Sequence, residues 1–312
     1  MKLTSFLIIT SSASLVSALG ELGFDLGVRI TETQCKVPSD YHTDLDVISP
    51  YVSTIKVFSA SDCQTLEILG PIAEEHRFTI SMGLWPAPAN KFNDEKAALQ
   101  QFLPTIRKAT IKSFLVGSEA LYRGDVTPEQ LAGLINEVRD FVKDIKDKEG
   151  ATYDDIPVGT VDSWNSLTNV STAAVVQNSD ILFANAFSYW QGQNMQNASY
   201  SFFDDIMQAL KVIETTKGTT DLEFWIGETG WPTGGSNYGE SVPSVENARK
   251  FWKEGICAIR AWGINTYVFE AFDETWKPVV SGSDAERYWG AFDDGRNLKY
   301  DLSCDFSSSP TT

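Results

Sequence analysis

Short apolar, β-branched runs recur along the chain, and each is followed by a loop and then an amphipathic stretch. They fall at 22–29, 54–60, 78–85, 112–117, 157–162, 180–187, 223–228 and 265–272. Runs such as IKVF at 55–58, FLVG at 114–117, ILFANAF at 181–187 and INTYVFEAF at 264–272 are almost continuously apolar. That suits strands buried on both faces of a parallel sheet. Helical periodicity fills the gaps, most clearly at 94–108, 127–148, 201–216 and 244–262, with Thr127-Pro128 as a cap and first turn. Alternating units with no linker-like break in composition predict a single (β/α)8 barrel, an α/β fold. An open doubly wound sheet would also alternate, but it usually carries a glycine-rich phosphate loop. Neither G-x-G-x-x-G nor G-x-x-x-x-G-K-[ST] occurs here.

The N-terminus departs from this pattern. Lys2 precedes an apolar stretch through Phe6 to Ile9 and Leu15-Val16, and Val16-Ser17-Ala18 places small residues at −3 and −1 of a cut after Ala18. Residues 1–18 therefore read as a secretory signal, and 19–312 as the catalytic barrel. The closing SSSPTT has no hydrophobic tail, so a lipid anchor is not expected, nor is any membrane span. In an oxidising compartment Cys35, Cys63, Cys257 and Cys304 suggest two disulfides from three possible pairings. Cys35–Cys63 would join loops after two early strands, and Cys257–Cys304 would tie the tail to a late helix. Asn169 and Asn197 begin glycosylation sequons, consistent with an extracellular or cell-wall protein.

Composition removes several classes of function. Lys+Arg number 25 against 42 Asp+Glu, a net charge of −17, so phosphate backbones would be repelled and nucleic acid is not an expected partner. His42 and His76 are the only histidines, His42 in a predicted loop and His76 before the third strand, at the wrong end of a barrel for chemistry. No metal site or cofactor is expected, and G-x-S-x-G is absent.

A barrel of this kind works at the C-terminal ends of its strands. Glu119 ends the fourth strand, Asn185 the sixth and Glu228 the seventh, while Glu270, Glu274 and Lys277 follow the eighth. Trp85, Trp164, Trp190, Trp231 and Trp276 fall on the same rim, whereas Trp225, Trp252 and Trp262 read as core. Aromatic faces among carboxylates suit a sugar, and paired carboxylates are what glycoside cleavage requires. A glutamate ending a strand is most often just the first solvated loop residue. Glu119 and Glu228 stand apart because each follows an apolar strand and a nearby glycine. Asp25 and Asp162 read as structural hydrogen-bond partners.

The residues reached here carry a resemblance. FLVGSEALYR (114–123), VGTVDSWN (158–165), NAFSYWQG (185–192), WIGETGWPT (225–233), YVFEAFDETWKP (267–278) and ERYWGAF (286–292) resemble glycoside hydrolase family 17, closest to its fungal cell-wall branch of β-1,3-glucanases and glucanosyltransferases. The resemblance implies a retaining enzyme acting on β-1,3-glucan or laminari-oligosaccharides, with Glu119 as acid/base and Glu228 as nucleophile. It implies that Glu274 and Lys277 orient the acid, with Glu270 in the binding set. Asn185, Phe187 and Tyr189 would line the donor subsite, Trp231 would be a sugar platform, and Tyr122 and Trp164 would border the acceptor. Ser118 departs from the asparagine of plant members, and Phe58 and Phe187 stand where those often carry tyrosine. Glu119 is expected to titrate high beside anionic Glu228. A monomer that transfers sugar in fungal wall remodelling is the leading expectation; a glucan-binding wall protein with vestigial carboxylates is the alternative.

Overall fold

A computed structural model describes residues 19–279 and 282–306; the predicted signal segment and the SSSPTT tail lie outside the described residues. The strands are β1 (Leu22–Asp25), β2 (Thr54–Val57), β3 (Thr79–Leu84), β4 (Ile111–Ser118), β5 (Val158–Ser163), β6 (Ile181–Asn185), β7 (Glu223–Glu228) and β8 (Asn265–Val268). All pair in parallel with their sequence neighbours, and β8 closes on β1, so the sheet is the expected eight-stranded barrel.

Burial on both faces divides the apolar side chains into two clusters. Leu115, Val161, Ile181, Phe183, Trp225 and Tyr267 fill the barrel interior, with the rings of Phe183, Trp225 and Tyr267 in mutual contact. The outward residues, such as Phe24, Ile55, Met82 and Phe114, pack under the helices. Beside the aromatic cluster the interior is polar. The Tyr267 hydroxyl lies 2.6 Å from Thr54 Oγ1 and 3.0 Å from Ser81 Oγ, which accepts from Ser113 Oγ at 2.9 Å.

The helices follow the predicted pattern with informative differences at their ends. The predicted 127–148 helix begins as expected, with Thr127 and Gln130 forming a reciprocal capping box, but stops at Val142. Beyond it the Asp147 carboxylate accepts backbone N–H groups from Lys108, Glu149 and Ala151, a turn-forming competitor to helix. The helix predicted at 94–108 runs instead over Ala89–Phe102, ending just before Leu103-Pro104. Trp262 was expected in the core; it lies past the last helix, 65% exposed, with its ring edge-on to Phe203. His42 is not in a loop but within the helix Pro38–Ile48, its Nδ1 2.8 Å from Nε2 of His76. Both disulfides pair as favoured, Cys35–Cys63 and Cys257–Cys304, with Cα separations of 5.4 and 5.5 Å.

Candidate active site

The end of β4 presents Glu119 through an unusual backbone. Gly117 has φ +87° and Glu119 itself sits in the left-handed region at φ +54°. A non-glycine residue held there costs about 1–3 kcal/mol, so the surroundings must impose it. They do so from β5: the Glu119 N–H donates to Val161 O at 3.0 Å, and Asp162 accepts the N–H groups of Leu121 and Tyr122 at 2.8 and 3.2 Å. Asp162 is thus the structural hydrogen-bond partner that was expected. Asn185 Nδ2 donates to Glu119 Oε1 at 3.0 Å, while the buried Asn185 Oδ1 has no partner. Gly227 makes this possible, because a Cβ there would come within 2.7 Å of that oxygen.

Glu228 lies across from it in register with Asn185, in a different environment. Its Oε1 accepts from Lys56 Nζ at 3.2 Å and from Ser118 Oγ at 3.3 Å. Lys56, on β2, is almost completely buried and also lies 3.0 Å from Asp25 Oδ1 on β1. Burial works against its charge, yet the two carboxylates outweigh burial and hold the ammonium above its ordinary range. Burial pushes Glu119 up, and the charge of Glu228 adds to it, so that Glu119 titrates at about 7. One carboxyl is therefore biased towards its acid form, and the other faces two donors. Such divergence is what assigns an acid and a base in a pair.

A second network stands behind them. Lys277 Nζ bridges Glu270 Oε1 at 3.1 Å and Glu274 Oε2 at 2.7 Å, and Glu286 lies on the same side of the cleft. Burial raises the carboxyl of Glu270 well above the usual range, with Glu274 reinforcing it and Lys277 opposing.

Both carboxylates open into one cleft of about 530 Å³ that also holds Tyr122, Trp164, Asn185, Phe187, Trp190, Phe269, Glu286 and Trp289. The structure therefore brings together six of the anticipated residues: Glu119, Glu228, Tyr122, Trp164, Asn185 and Phe187. Phe58 sits beside it, its ring edge-on to Phe269 and 4.0 Å beneath the Lys56 ammonium. Three expectations need correction. Glu274 and Lys277, expected to orient the acid, make no hydrogen bond to Glu119 among the described residues, because Lys277 is taken up by Glu274 and Glu270 away from the cleft lining. Trp231 is 2% exposed, its indole N–H donating to Val242 O at 3.0 Å, so it packs behind the wall and offers no platform. Tyr189 is also buried, wedged edge-on against Trp190, Trp231 and Trp289, with its hydroxyl donated to Ser236 O. Phe269 and Trp289 line the cleft, but Trp289 is 1% exposed and offers no open ring face either. Sequence reasoning missed Lys56, Phe269, Glu286 and Trp289. Only the ERYWGAF match drew attention to the last two.

A model of glycosyl hydrolases family 17 matches residues 22–304. The chain belongs to that family. It is 60% identical over 95% of its length to a glucan 1,3-β-glucosidase of Saccharomyces cerevisiae, itself covered over 95%. It is 53% identical over 94% of its length to one from Candida albicans, covered over 95%. Among solved structures it resembles an active-site mutant of a Rhizomucor miehei β-1,3-glucanosyltransferase in complex with laminaritriose. The TM-score is 0.78 at 27% identity, covering 91% of this chain and 98% of that one. In this family-17 barrel a further cavity of about 240 Å³ lies beside Glu274 and Trp276. Its Lys36 and Arg296 both pair with Asp44. No helix of the described residues is long and apolar enough to cross a membrane.

Proposed function

We propose that the protein is a retaining β-1,3-glucan-active enzyme that transfers the cleaved chain to another glucan in preference to water. The observation that carries this reading is the electrostatic asymmetry of two carboxyls in one cleft: Glu119 titrating at about 7, and Glu228 held by Lys56 and Ser118. Glu228 attacks the anomeric carbon. The bond to the glycosidic oxygen breaks as that oxygen takes the proton of Glu119, leaving a neutral glycosyl ester on Glu228. Glu119, now a base, deprotonates the incoming nucleophile, and Glu228 departs as carboxylate.

Transfer and hydrolysis differ only in what attacks the ester. Tyr122 is 60% exposed at the cleft mouth and Trp164 stands beside it, so a sugar can stack next to the reacting carbon. Effective molarities of oriented groups reach about 10⁵ M or more, enough for a bound acceptor to exceed ~55 M water. The names of the relatives, glucan 1,3-β-glucosidases and a β-1,3-glucanosyltransferase, support the substrate class. Secretion to a fungal wall fits the N-terminal signal pattern and the two disulfides. Product profiling on a defined laminari-oligosaccharide tests the reading. Products longer than the substrate should appear early, and shorter products alone, even at high substrate, would leave an endo-glucanase. No turnover at all would favour the glucan-binding alternative.

A further inference from the structure

The proposed reaction makes no use of Asp25, yet this carboxylate is fully buried inside the barrel. It is paired in register with Lys56 across β1 and β2, with Lys56 Nζ 3.0 Å from its Oδ1. Among the described residues no other group donates to either of its oxygens. The same ammonium reaches Glu228 at 3.2 Å, and Lys56 is itself 1% exposed. Three ionisable groups thus share one largely buried site, two carboxyls and one ammonium, of which only Glu228 opens into the cleft.

Resting on the assignment of Glu228 as nucleophile, we propose that Asp25 is a positioning residue whose charge balances Lys56 through the reaction, so that Lys56 has a partner when Glu228 becomes a neutral ester. The physical argument concerns what changes during glycosylation. In the free enzyme Lys56 lies between two carboxylates. When the Glu228 oxygen bonds to the anomeric carbon, its charge leaves with the pair of electrons that becomes the bond, and Lys56 loses one partner. A buried ammonium without a counter-charge is strongly unfavourable, and removing one member of a buried pair is what destabilises it most. Asp25 prevents that. It also leaves Glu228 with most of its negative charge in the free enzyme, because the ammonium is shared and not given to the nucleophile alone. Burial pushes the Asp25 carboxyl well above its ordinary range, with Lys56 opposing and the charge of Glu228 adding to the rise; once Glu228 is a neutral ester that repulsion is gone, and the ionised form of Asp25 is the one that leaves Lys56 paired. Asp25 therefore favours formation of the glycosyl-enzyme and slows its breakdown.

The test uses a 2-deoxy-2-fluoro-laminaribiosyl fluoride, whose trapping rate reports glycosylation, followed by reactivation with laminaribiose, which reports deglycosylation. Asp25→Asn, nearly isosteric, should slow trapping about tenfold and speed reactivation severalfold. Lys56→Met, which leaves two facing carboxylates, should slow trapping about a hundredfold. The decisive readout is a reversal of sign. In the Lys56→Met background Asp25→Asn should restore part of the trapping rate, because it then removes repulsion from Glu228. Should Lys56→Met fail to fold, Lys56→Gln, which keeps a donor without the charge, serves the same comparison. If Asp25→Asn slows trapping in both backgrounds, or changes neither rate beyond twofold in the parent, the inference is overturned. Mass spectrometry of the trapped protein separates the failures. A label on a residue other than Glu228 overturns both readings, and a label on Glu228 with a silent Asp25→Asn overturns this one alone.

Discussion

The end of β4 and the end of β7 present the same side chain to the same cleft, and the two neighbourhoods could hardly differ more. Around Glu119 there is one amide donor, Asn185, an aromatic wall and a nearby anion, and the backbone itself is held in the left-handed region. Around Glu228 there is a buried ammonium and a hydroxyl, with Asp25 behind. Desolvation and like charge favour a proton on the first. The second accepts from the ammonium and the hydroxyl. In the proposed reaction the two roles follow from the surroundings of each carboxyl and not from residue type.

Breaking the comparison outright gives the largest effects. Glu228→Ala should lower turnover on every substrate by roughly 10⁴–10⁶-fold, the scale seen when a nucleophile that acts within a unit is removed. Residual activity above that on an activated aryl laminaribioside would remove Glu228 from the role. Glu119→Ala should cost about 10²–10⁴-fold on glucan, the usual contribution of a general acid, and far less where the leaving group needs no proton. Azide should rescue it with a β-glycosyl azide as product; an α-azide would mean inversion. The two carboxyls should lie about 5–5.5 Å apart, as retention requires.

Smaller effects sharpen the contrast. Replacing Tyr122 or Trp164 by alanine should shift products towards hydrolysis severalfold, with cleavage of an activated donor nearly unchanged, as measured by the ratio of long to short oligosaccharides. The smallest concerns stability and pH. The folded-state pKa of Glu119 is raised to about 7 from the ordinary 4.5 of a glutamate, so burying its ionised form costs stability as pH rises through that window. Glu119→Gln should therefore raise the unfolding free energy by roughly 1–3 kcal/mol at pH 8 and change it little at pH 4. In a Glu228→Gln background an isotope-edited titration of Glu119 should move downward. A stationary Glu119 would show that burial alone raises it.

The candidate site was legible wherever chemistry and strand position coincided. Glu119, Asn185 and Glu228 each sit where an apolar run meets a loop, so the barrel rule was enough to place them. Lys56 was hidden because it sits inside IKVF, a run whose neighbours on both sides are apolar, and a lysine there reads as a strand residue facing solvent. Its partners are Asp25 and Glu228, the latter far along the chain, so no local pattern could show the pairing. Trp231 failed in the opposite way. Its place just after β7 suggested the rim, but the chain folds Val242 over its indole and turns the ring into the wall.

By itself the sequence determined the architecture, because period, length and turn chemistry are local properties and the barrel follows from their alternation. It also determined which strand ends carry carboxylates. What only the tertiary structure decided is how those groups differ. Burial, the direction of a buried ammonium and the side of a wall an indole faces depend on residues far apart in the chain. The electrostatic balance of the site is set by closure of the barrel, where β8 meets β1 and brings Asp25, Lys56 and Glu228 around one interior point.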